Sequence, residues 1–217
     1  MIPPVGKADT DQWIEKVYAA TSDADLRVLY DEWAASYDAD MQQVGYLHVP
    51  VITGLVARHL PSRAAAILDA GVGTGAIGNI LSILGYNNLS GLDMSEGMLA
   101  QAKARGCYVD LRLGVLGERL DFADGAFDGI ISTGTFTNGH APAAAFDELV
   151  RVLEPGGFLM FTVGTVIWEE HGFQEKLDGF VGRKILHMVE QTPIYRPMPF
   201  SQLESSFTAR AHVYRKS

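Results

Sequence analysis

The residues best suited to bind a ligand follow a short apolar run, where glycine stands at every second position from Gly71 to Gly75. The run Ala66–Ala70 predicts a strand, and the segment after the glycines predicts a helix. Glycine lacks a Cβ and readily adopts positive φ, so a turn of this composition lets backbone N–H groups approach a ligand closely. The segment therefore predicts a ligand-binding turn, with a simple packing turn as the alternative.

Two acidic residues flank this turn and bear on the kind of ligand. The segment Gly73–Gly78 matches the dinucleotide fingerprint Gly-x-Gly-x-x-Gly. Asp93 lies 20 residues after Gly73, at the end of the next predicted strand, which is where dinucleotide-binding folds carry the acid that binds a ribose diol. Asp69 precedes the glycines, and a carboxylate there would repel a pyrophosphate but attract a cation. The spacing therefore favours a cationic ligand, while a nicotinamide dinucleotide and a purely helix-capping role for Asp93 stay open.

The elements that must position these residues form an alternating pattern between residues 65 and 163. Short apolar runs alternate with helix-like segments, which predicts βαβ units and a parallel sheet. The strands are apolar throughout, as expected when helices cover both faces. The predicted strands are Ala66–Ala70, Leu89–Asp93, Tyr108–Leu113, Phe127–Thr133 and Gly157–Val163, and the predicted helices are Gly75–Leu84, Ser95–Ala104 and Ala141–Leu153.

Helical periodicity marks residues 10–60. Ser22 and Asp25 fit an N-cap and a capping-box acid, Pro50 suits a first helical turn, and the pattern stops before Pro61. One predicted helical face carries Leu26, Leu29, Tyr30, Trp33 and Tyr37 at three- and four-residue spacing.

The C-terminal part predicts two further strands, Lys184–Gln191 and Thr208–Lys216. We see no second long helix between them, so they are expected to form an antiparallel hairpin that closes one edge of the sheet.

Composition bounds the functional classes. The chain has 217 residues, of which 47% are hydrophobic, and a formal net charge of -9. This predicts one compact domain, excludes general disorder and disfavours nucleic acid as a partner. The single cysteine, Cys107, predicts a reducing compartment. With no apolar run of membrane-spanning length and an N-terminus that carries Pro3 and Pro4, we expect a cytoplasmic protein without membrane association.

The motifs together resemble those of the class I S-adenosylmethionine-dependent methyltransferases. Asp69-Ala70-Gly71-Val72-Gly73-Thr74-Gly75 resembles the first motif of that family, Asp93 its ribose-binding acid, and Leu153-Glu154-Pro155-Gly156-Gly157-Phe158 its turn into the fifth strand. The resemblance implies an α/β fold, a Rossmann-like three-layer sandwich with a mostly parallel seven-stranded sheet, an antiparallel C-terminal strand and an N-terminal helical lid. It implies one domain over 1–217, with the lid in 1–62 and the cofactor-binding core in 63–217.

Within that family the chain is most similar to the methyltransferase-like group that includes the Williams-Beuren syndrome chromosome-region protein. The similar local signatures are Tyr30-Asp31-Glu32-Trp33-Ala34-Ala35-Ser36-Tyr37-Asp38, Gly45-Tyr46, Asn138-Gly139-His140-Ala141-Pro142 and Gly172-Phe173-Gln174-Glu175-Lys176.

The resemblance implies S-adenosylmethionine as cofactor and assigns roles to particular residues. Asp93 would accept the ribose hydroxyls, and Tyr30 or Tyr37 would lie near the carboxylate of the methionine end. At the position of the usual adenine-binding acid the chain has Val115 and Leu116, a departure that leaves adenine to backbone groups there or to Asp121. The full implied set is Tyr30, Tyr37, Asp69, Ala70, Gly71, Gly73, Asp93, Met94, Val115, Leu116 and Thr133.

The implied reaction is methyl transfer to a small molecule with an oxygen, sulfur or nitrogen nucleophile, without a metal. The candidate proton acceptors are His140 after the fourth strand and His171 beyond the fifth, with His48 in the N-terminal helical part, because imidazole titrates near neutrality. Two alternatives stay open: an NAD(P)-dependent oxidoreductase, and a protein that binds the cofactor without transferring a methyl group. The aromatic residues that could wall an acceptor pocket are Tyr46, Phe136, Trp168 and Tyr195.

Overall fold

A computed structural model describes residues 8–217, and the predicted N-terminal features at Pro3 and Pro4 lie outside that range. A seven-stranded sheet in the order β3-β2-β1-β4-β5-β7-β6 runs through it, with helices on both faces, which confirms the predicted α/β, Rossmann-like fold class. The strands are β1 (Ile67–Ala70), β2 (Leu89–Asp93), β3 (Asp110–Leu113), β4 (Phe127–Phe136), β5 (Leu153–Gly164), β6 (Leu186–Gln191) and β7 (Ala209–Lys216). The helices are α1 (Ala8–Tyr18), α2 (Asp23–Trp33), α3 (Tyr37–Val44), α4 (His48–His59), α5 (Ala76–Ile83), α6 (Glu96–Ala104), α7 (Ala145–Val152), α8 (Ile167–Glu170) and α9 (Phe173–Gly182).

Alternation along the buried strands divides the core into two clusters. Successive strand residues point to opposite faces, so Ile130 packs in one cluster and Ile131 in the other. The first cluster buries Phe146 and Leu149 of α7, and the second buries Ile52 of α4. Apolar residues on both faces of each strand therefore hold the sheet between two helical layers.

Three parallel strands bring the predicted site together. β1 pairs in parallel with β2 and with β4, with Ala70 opposite Leu92 and Asp69 opposite Ile131. Parallel strands place their carboxyl ends at one edge of the sheet, where ligands of open α/β sheets bind. The glycine turn after β1, Asp93 at the end of β2 and Thr133 in β4 consequently lie along that edge.

The predicted helical stripe of the N-terminal part divides between two helices. Ser22 caps α2 by accepting a hydrogen bond from the N–H of Asp25 at 3.1 Å, as predicted. The helix ends at Trp33, and Tyr37 begins α3, so one continuous helix through Tyr37 is wrong. The buried carboxylate of Asp40 stabilises the bend, since it accepts hydrogen bonds from the Trp33 indole at 2.7 Å and from the Ser36 hydroxyl at 2.9 Å.

Two carboxylates attach α2 and α3 to the core beside the glycine turn. Asp31 of α2 accepts hydrogen bonds from the Ser95 hydroxyl at 2.6 Å and from the Gly97 N–H at 2.8 Å. Asp38 of α3 accepts one from the Thr74 hydroxyl at 2.5 Å and pairs with Arg105. These contacts hold α2 and α3 over the carboxyl edge, whereas α4 packs against the sheet itself. The division into lid and core within one domain stays a prediction.

The C-terminal hairpin lies at the β6 edge of the sheet. β7 pairs antiparallel with β5 on one side and with β6 on the other, as predicted. The sequence reading missed α8 and α9, which precede β6. The buried side chains of α9, Phe173, Leu177 and Phe180, join the first core cluster. Within residues 8–217, no helix is both long enough and apolar enough to cross a bilayer.

The packing of α7 against the sheet gives a prediction of stability. Leu149 is fully buried, so Leu149→Ala should lower the free energy of unfolding by about 2–5 kcal/mol through lost burial and a cavity. Leu84→Ala, at a side chain that is 42% exposed, is the matched control and should cost less than about 1 kcal/mol. Urea denaturation followed by circular dichroism measures both, and equal losses would contradict this description of the core.

Candidate functional site

A crevice of about 740 Å³ opens at the carboxyl edge of the sheet, between the strand ends and helix α2. That volume includes space open to solvent. The predicted residues that line it are Tyr30, Tyr37, Gly71, Gly73, Asp93, Met94, Val115, Leu116, Thr133 and His140. The crevice also includes Asp23, Leu26, Leu92, Met98, Gly114, Gly134, Thr135, Ala141 and Pro142, which sequence reasoning did not assign.

The glycine turn gives the crevice a floor of bare backbone. Gly73 has a φ of 53°, and a Cβ added there would meet no atom within 4 Å. At Gly71, with a φ of 80°, a Cβ would come within 2.5 Å of the Thr135 hydroxyl oxygen. Glycine is therefore required at Gly71 by space and at both positions by backbone conformation. At Gly73 the open space belongs to the crevice, which leaves room for a ligand against the main chain.

Asp93 is tied to the turn by hydrogen bonds. One of its oxygens, Oδ2, accepts the Gly73 N–H at 2.8 Å, and Oδ1 accepts the Ser95 N–H at 3.0 Å. Burial raises the pKa of Asp93, while these backbone donors act in the opposite direction. A carboxylate has about four acceptor sites, so Asp93 can accept two further hydrogen bonds from a ligand diol.

The charges around the crevice have one sign. Asp23 and Asp93 contribute carboxylates, and among the described residues that line the crevice there is neither a lysine nor an arginine. A diphosphate would lack a counter-charge here, whereas a cationic ligand would be attracted. The site therefore favours a cation over a dinucleotide.

Asp69 does not take the position that the sequence argument gave it. Asp69 is 3% exposed and lies outside the crevice lining, and its carboxyl group accepts a hydrogen bond from the Tyr108 hydroxyl at 2.8 Å. Burial raises the pKa of Asp69 to about 8, although the bond from Tyr108 opposes the shift. The prediction that Asp69 supplies the negative charge at the glycine turn is thus wrong. Asp23 and Asp93 supply that charge instead. Ala70 is also buried outside the lining, where its carbonyl oxygen accepts a bond from Ser132 at 2.8 Å.

Apolar side chains line one part of the crevice, and one polar atom elsewhere in its lining has no partner. Met94, Val115 and Leu116 line this part, which fits an apolar flat group such as a nucleobase. The hydroxyl oxygen of Thr133 is buried without a hydrogen-bond partner in the described part of the chain. Because a buried hydroxyl normally finds a partner, a ligand in the crevice would complete its hydrogen bonding.

A tyrosine and a histidine of the crevice lining form a hydrogen bond with each other. His140 Nδ1 lies 2.8 Å from the carbonyl oxygen of Asn138, which can only accept, so Nδ1 carries the proton. His140 Nε2 then accepts the hydrogen bond from the Tyr30 hydroxyl at 2.7 Å. Burial lowers the pKa of His140 below its ordinary 6.5, against the effect of the Asn138 carbonyl. His140 is therefore a neutral base joined to Tyr30 at the crevice.

The other candidate bases and aromatic residues lie elsewhere. His171 is exposed and stacks against Phe173, away from the crevice. Trp168 stacks on His212 with ring centroids 4.4 Å apart. His48 and Tyr195 lie 2.6 Å apart, His48 Nδ1 to the tyrosine oxygen, beside a second cavity that adjoins the crevice. Asp23 was missed because no sequence signal shows how the first turn of α2 would lie against the strand ends.

Comparison with known proteins agrees with this geometry. Residues 68–161 match the family described as "Methyltransferase domain". The chain is 37% identical over 139 residues to human methyltransferase-like protein 27, covering 63% of this chain and 56% of the relative. It is 33% identical over 143 residues to demethylmenaquinone methyltransferase of Beutenbergia cavernae, covering 64% and 57%. A TehB-like SAM-dependent methyltransferase of Corynebacterium glutamicum superposes with a TM-score of 0.61 at 22% identity, covering 86% and 98% of the two chains.

The sheet order and the match over residues 68–161 make this chain similar to methyltransferase domains, and the solved neighbour from Corynebacterium glutamicum is described as dependent on S-adenosylmethionine. The residues present fit that molecule on this structure's own evidence: a carboxylate pair without an opposing cation, bare backbone at Gly73 and the unpartnered hydroxyl of Thr133. The chain spans about half the length of the curated relatives it matches.

Replacing Asp93 tests whether its carboxylate contacts the ligand of the crevice. Asp93→Asn removes the charge while keeping the size, and should weaken S-adenosylhomocysteine binding by about 1.5–3 kcal/mol, the range for hydrogen bonds to charged groups. Asp121→Asn is the matched control, because Asp121 is fully exposed and outside the crevice lining. Isothermal titration calorimetry measures both, and an unchanged affinity in folded Asp93→Asn would remove Asp93 from the site.

Asp69→Asn, in contrast, should change the pH dependence of stability and leave the affinity for S-adenosylhomocysteine nearly unchanged. Because burial raises the pKa of Asp69 to about 8, the contribution of its protonated form to stability is full below about pH 4 and is lost as the pH rises through 8. The free energy of unfolding of Asp69→Asn relative to the wild type should therefore increase between pH 5 and pH 8. Its affinity for S-adenosylhomocysteine should change less than two-fold by our estimate. A pH-independent stability difference in urea denaturation would contradict the assigned burial.

Proposed function

We propose that this protein transfers the methyl group of S-adenosylmethionine to a small-molecule acceptor, with His140 taking up the acceptor's proton. The proposal is supported above all by the Tyr30–His140 hydrogen bond, because both residues line the crevice and a neutral imidazole can act as a base. We also propose membership of the methyltransferase-like group named above, which the 37% identity to human methyltransferase-like protein 27 supports.

The crevice residues would divide the cofactor between them. Asp93 would bind the ribose hydroxyls, Met94 and Leu116 would contact adenine, and Gly71 and Gly73 would face the methionine end. Tyr30 already donates its hydroxyl to His140, whereas the Tyr37 hydroxyl has no partner in the described structure. Tyr37 is accordingly our candidate for the cofactor carboxylate. The crevice acids Asp23 and Asp93 supply the negative charge that suits the sulfonium and the ammonium.

When bound, S-adenosylmethionine supplies a methyl group on a sulfonium, so the C–S bond breaks with its electron pair going to sulfur as the acceptor's new bond to carbon forms. The protein has to align the acceptor, exclude water and remove one proton. Tyr30 can accept that proton while it donates its own to His140 Nε2, and the Asn138 carbonyl stabilises the imidazolium through Nδ1–H. The proton thus ends on His140, with Tyr30 neutral.

A nicotinamide-dependent oxidoreductase is the alternative that the glycine fingerprint left open. The absence of lysine and arginine from the described crevice lining argues against it, because the pyrophosphate would be unpaired. A cofactor-binding protein without methyl transfer would share the crevice, but would not need a neutral base beside it.

The proposal predicts the effect of His140→Ala. Turnover with tritiated S-adenosylmethionine and an accepted substrate should fall by about 10²-fold or more, the usual contribution of a general base, with S-adenosylhomocysteine affinity retained. His171→Ala is the matched control, since His171 is exposed and remote from the crevice, and should keep wild-type turnover.

The pH dependence provides a second readout of the same change. A base acts when unprotonated, and burial lowers the pKa of His140, so wild-type turnover should hold from pH 8 down to about 6.5 and fall only at lower pH. The turnover of His140→Ala should not show this fall at low pH. Equal turnover of His140→Ala and the wild type would dismiss His140 as the proton acceptor.

A further inference from the structure

A second cavity, which we call the adjoining cavity, lies next to the crevice under helices α1–α3. It comprises about 540 Å³ of space, part of it open to solvent, and shares Tyr30, Tyr37, Gly134 and His140 with the crevice. A molecule in it would therefore be able to contact the proposed proton acceptor, His140.

The lining of the adjoining cavity is aromatic and aliphatic. Val17, Tyr18, Tyr46, Phe136 and Met198 represent its walls. In contrast to the crevice, no Asp, Glu, Lys or Arg of the described chain lines it. A charged group placed there would lose its hydration without gaining a counter-charge, which is strongly unfavourable. An uncharged, largely apolar occupant is therefore favoured.

The polar side chains that line this cavity include two imidazoles beside the hydroxyls of Thr137, Thr162 and the tyrosines. His140, with Tyr30, stands where the cavity meets the crevice. His48 is buried, its Nδ1 is bonded to the Tyr195 hydroxyl, and burial lowers its pKa to about 3, so it is neutral. No described group occupies His48 Nε2, which can donate to or accept from a ligand according to its tautomer.

Several aromatic rings of the lining pack against one another. The rings of Trp33 and Tyr37 pack edge to face at 4.8 Å between centroids, and the Tyr46 ring stands edge-on to His48 at 5.2 Å. Aromatic walls favour a flat ring that can pack against their faces and edges.

We propose that the adjoining cavity binds the methyl acceptor, and that this acceptor is an uncharged, largely apolar aromatic molecule bearing one weakly acidic O–H or S–H group. This assignment rests on the proposed function. The acceptor's O–H or S–H bond breaks, its proton passes through the Tyr30 hydroxyl to His140 Nε2, and the freed electron pair forms the new bond from oxygen or sulfur to the methyl carbon. His48 orients the other end of the acceptor and takes no part in proton transfer.

The test uses a matched set of naphthalene probes on the full chain saturated with S-adenosylhomocysteine. The probes are 2-naphthol, which is neutral, 2-naphthoate, which is an anion, and 2-naphthylmethylammonium, which is a cation. Calorimetry should show 2-naphthol binding at least about 100-fold more tightly than either ion, because the cavity offers no counter-charge. Comparable or tighter binding of an ion, or no binding of 2-naphthol, overturns the proposal.

A substitution then locates the probe. His48→Phe keeps a ring of similar size but removes the free nitrogen, so 2-naphthol should bind about five- to ten-fold more weakly, with S-adenosylhomocysteine affinity unchanged. His187→Phe is the matched control, because His187 is exposed on β6 and should leave both affinities unchanged. Unchanged 2-naphthol affinity in folded His48→Phe overturns the placement.

The two proposals fail differently. If S-adenosylhomocysteine does not bind the wild-type protein, the proposed function itself is wrong. If it binds and the probe pattern is not found, only the acceptor class is wrong.

Discussion

The hydrogen bond from the Gly73 N–H to the Asp93 carboxylate links the two strand ends on which the site depends. It joins the turn after β1 to the end of β2, at an edge where parallel pairing has already brought them side by side. Residues that lie far apart in the sequence line the same crevice around this hydrogen bond. They are Thr133 on β4, the Val115–Leu116 segment after β3 and residues of helix α2. Because Asp31 and Asp38 bond to groups next to the same link, the N-terminal helices share its position.

The crevice and the adjoining cavity differ in the charge of their linings. The crevice has carboxylates and no opposing cation in the described residues, whereas the adjoining cavity has no charged side chain among them. A cationic donor and a neutral acceptor would each be favoured in one space and disfavoured in the other. Their boundary, at Tyr30 and His140, is where the donor and acceptor would meet and where a proton must be removed.

The strands of the core could be predicted closely because buried parallel strands are continuously apolar and are bounded by glycine-rich turns. β2 has the predicted limits, Leu89–Asp93, and the C-terminal hairpin is also confirmed. Tyr30 and Tyr37 line the same crevice, but they belong to two helices and not to the single helix that was predicted. The turn between the helices depends on the hydrogen bond from Trp33 to Asp40, seven residues later. Periodicity cannot show such a contact.

Within the site, the sequence predicts correctly which residues lie at the ends of strands. It does not predict toward which face of the sheet a side chain inside a strand points. Asp93 follows its strand into the crevice, but Asp69, inside β1, faces Tyr108 because alternate strand residues point to opposite faces. The pattern could not reveal which face looks toward the ligand. Asp23 and the adjoining cavity depend on how α1–α3 lie against the sheet, which only tertiary contacts determine.

The central claim is that the crevice holds a cationic sulfonium cofactor and not a dinucleotide. Calorimetric titration of the wild-type chain with S-adenosylmethionine, S-adenosylhomocysteine and NADH in parallel tests it most directly. We predict saturable binding of the first two at one site and no heat from NADH. Saturable binding of NADH that S-adenosylhomocysteine displaces, or silence from both adenosyl compounds, would contradict it.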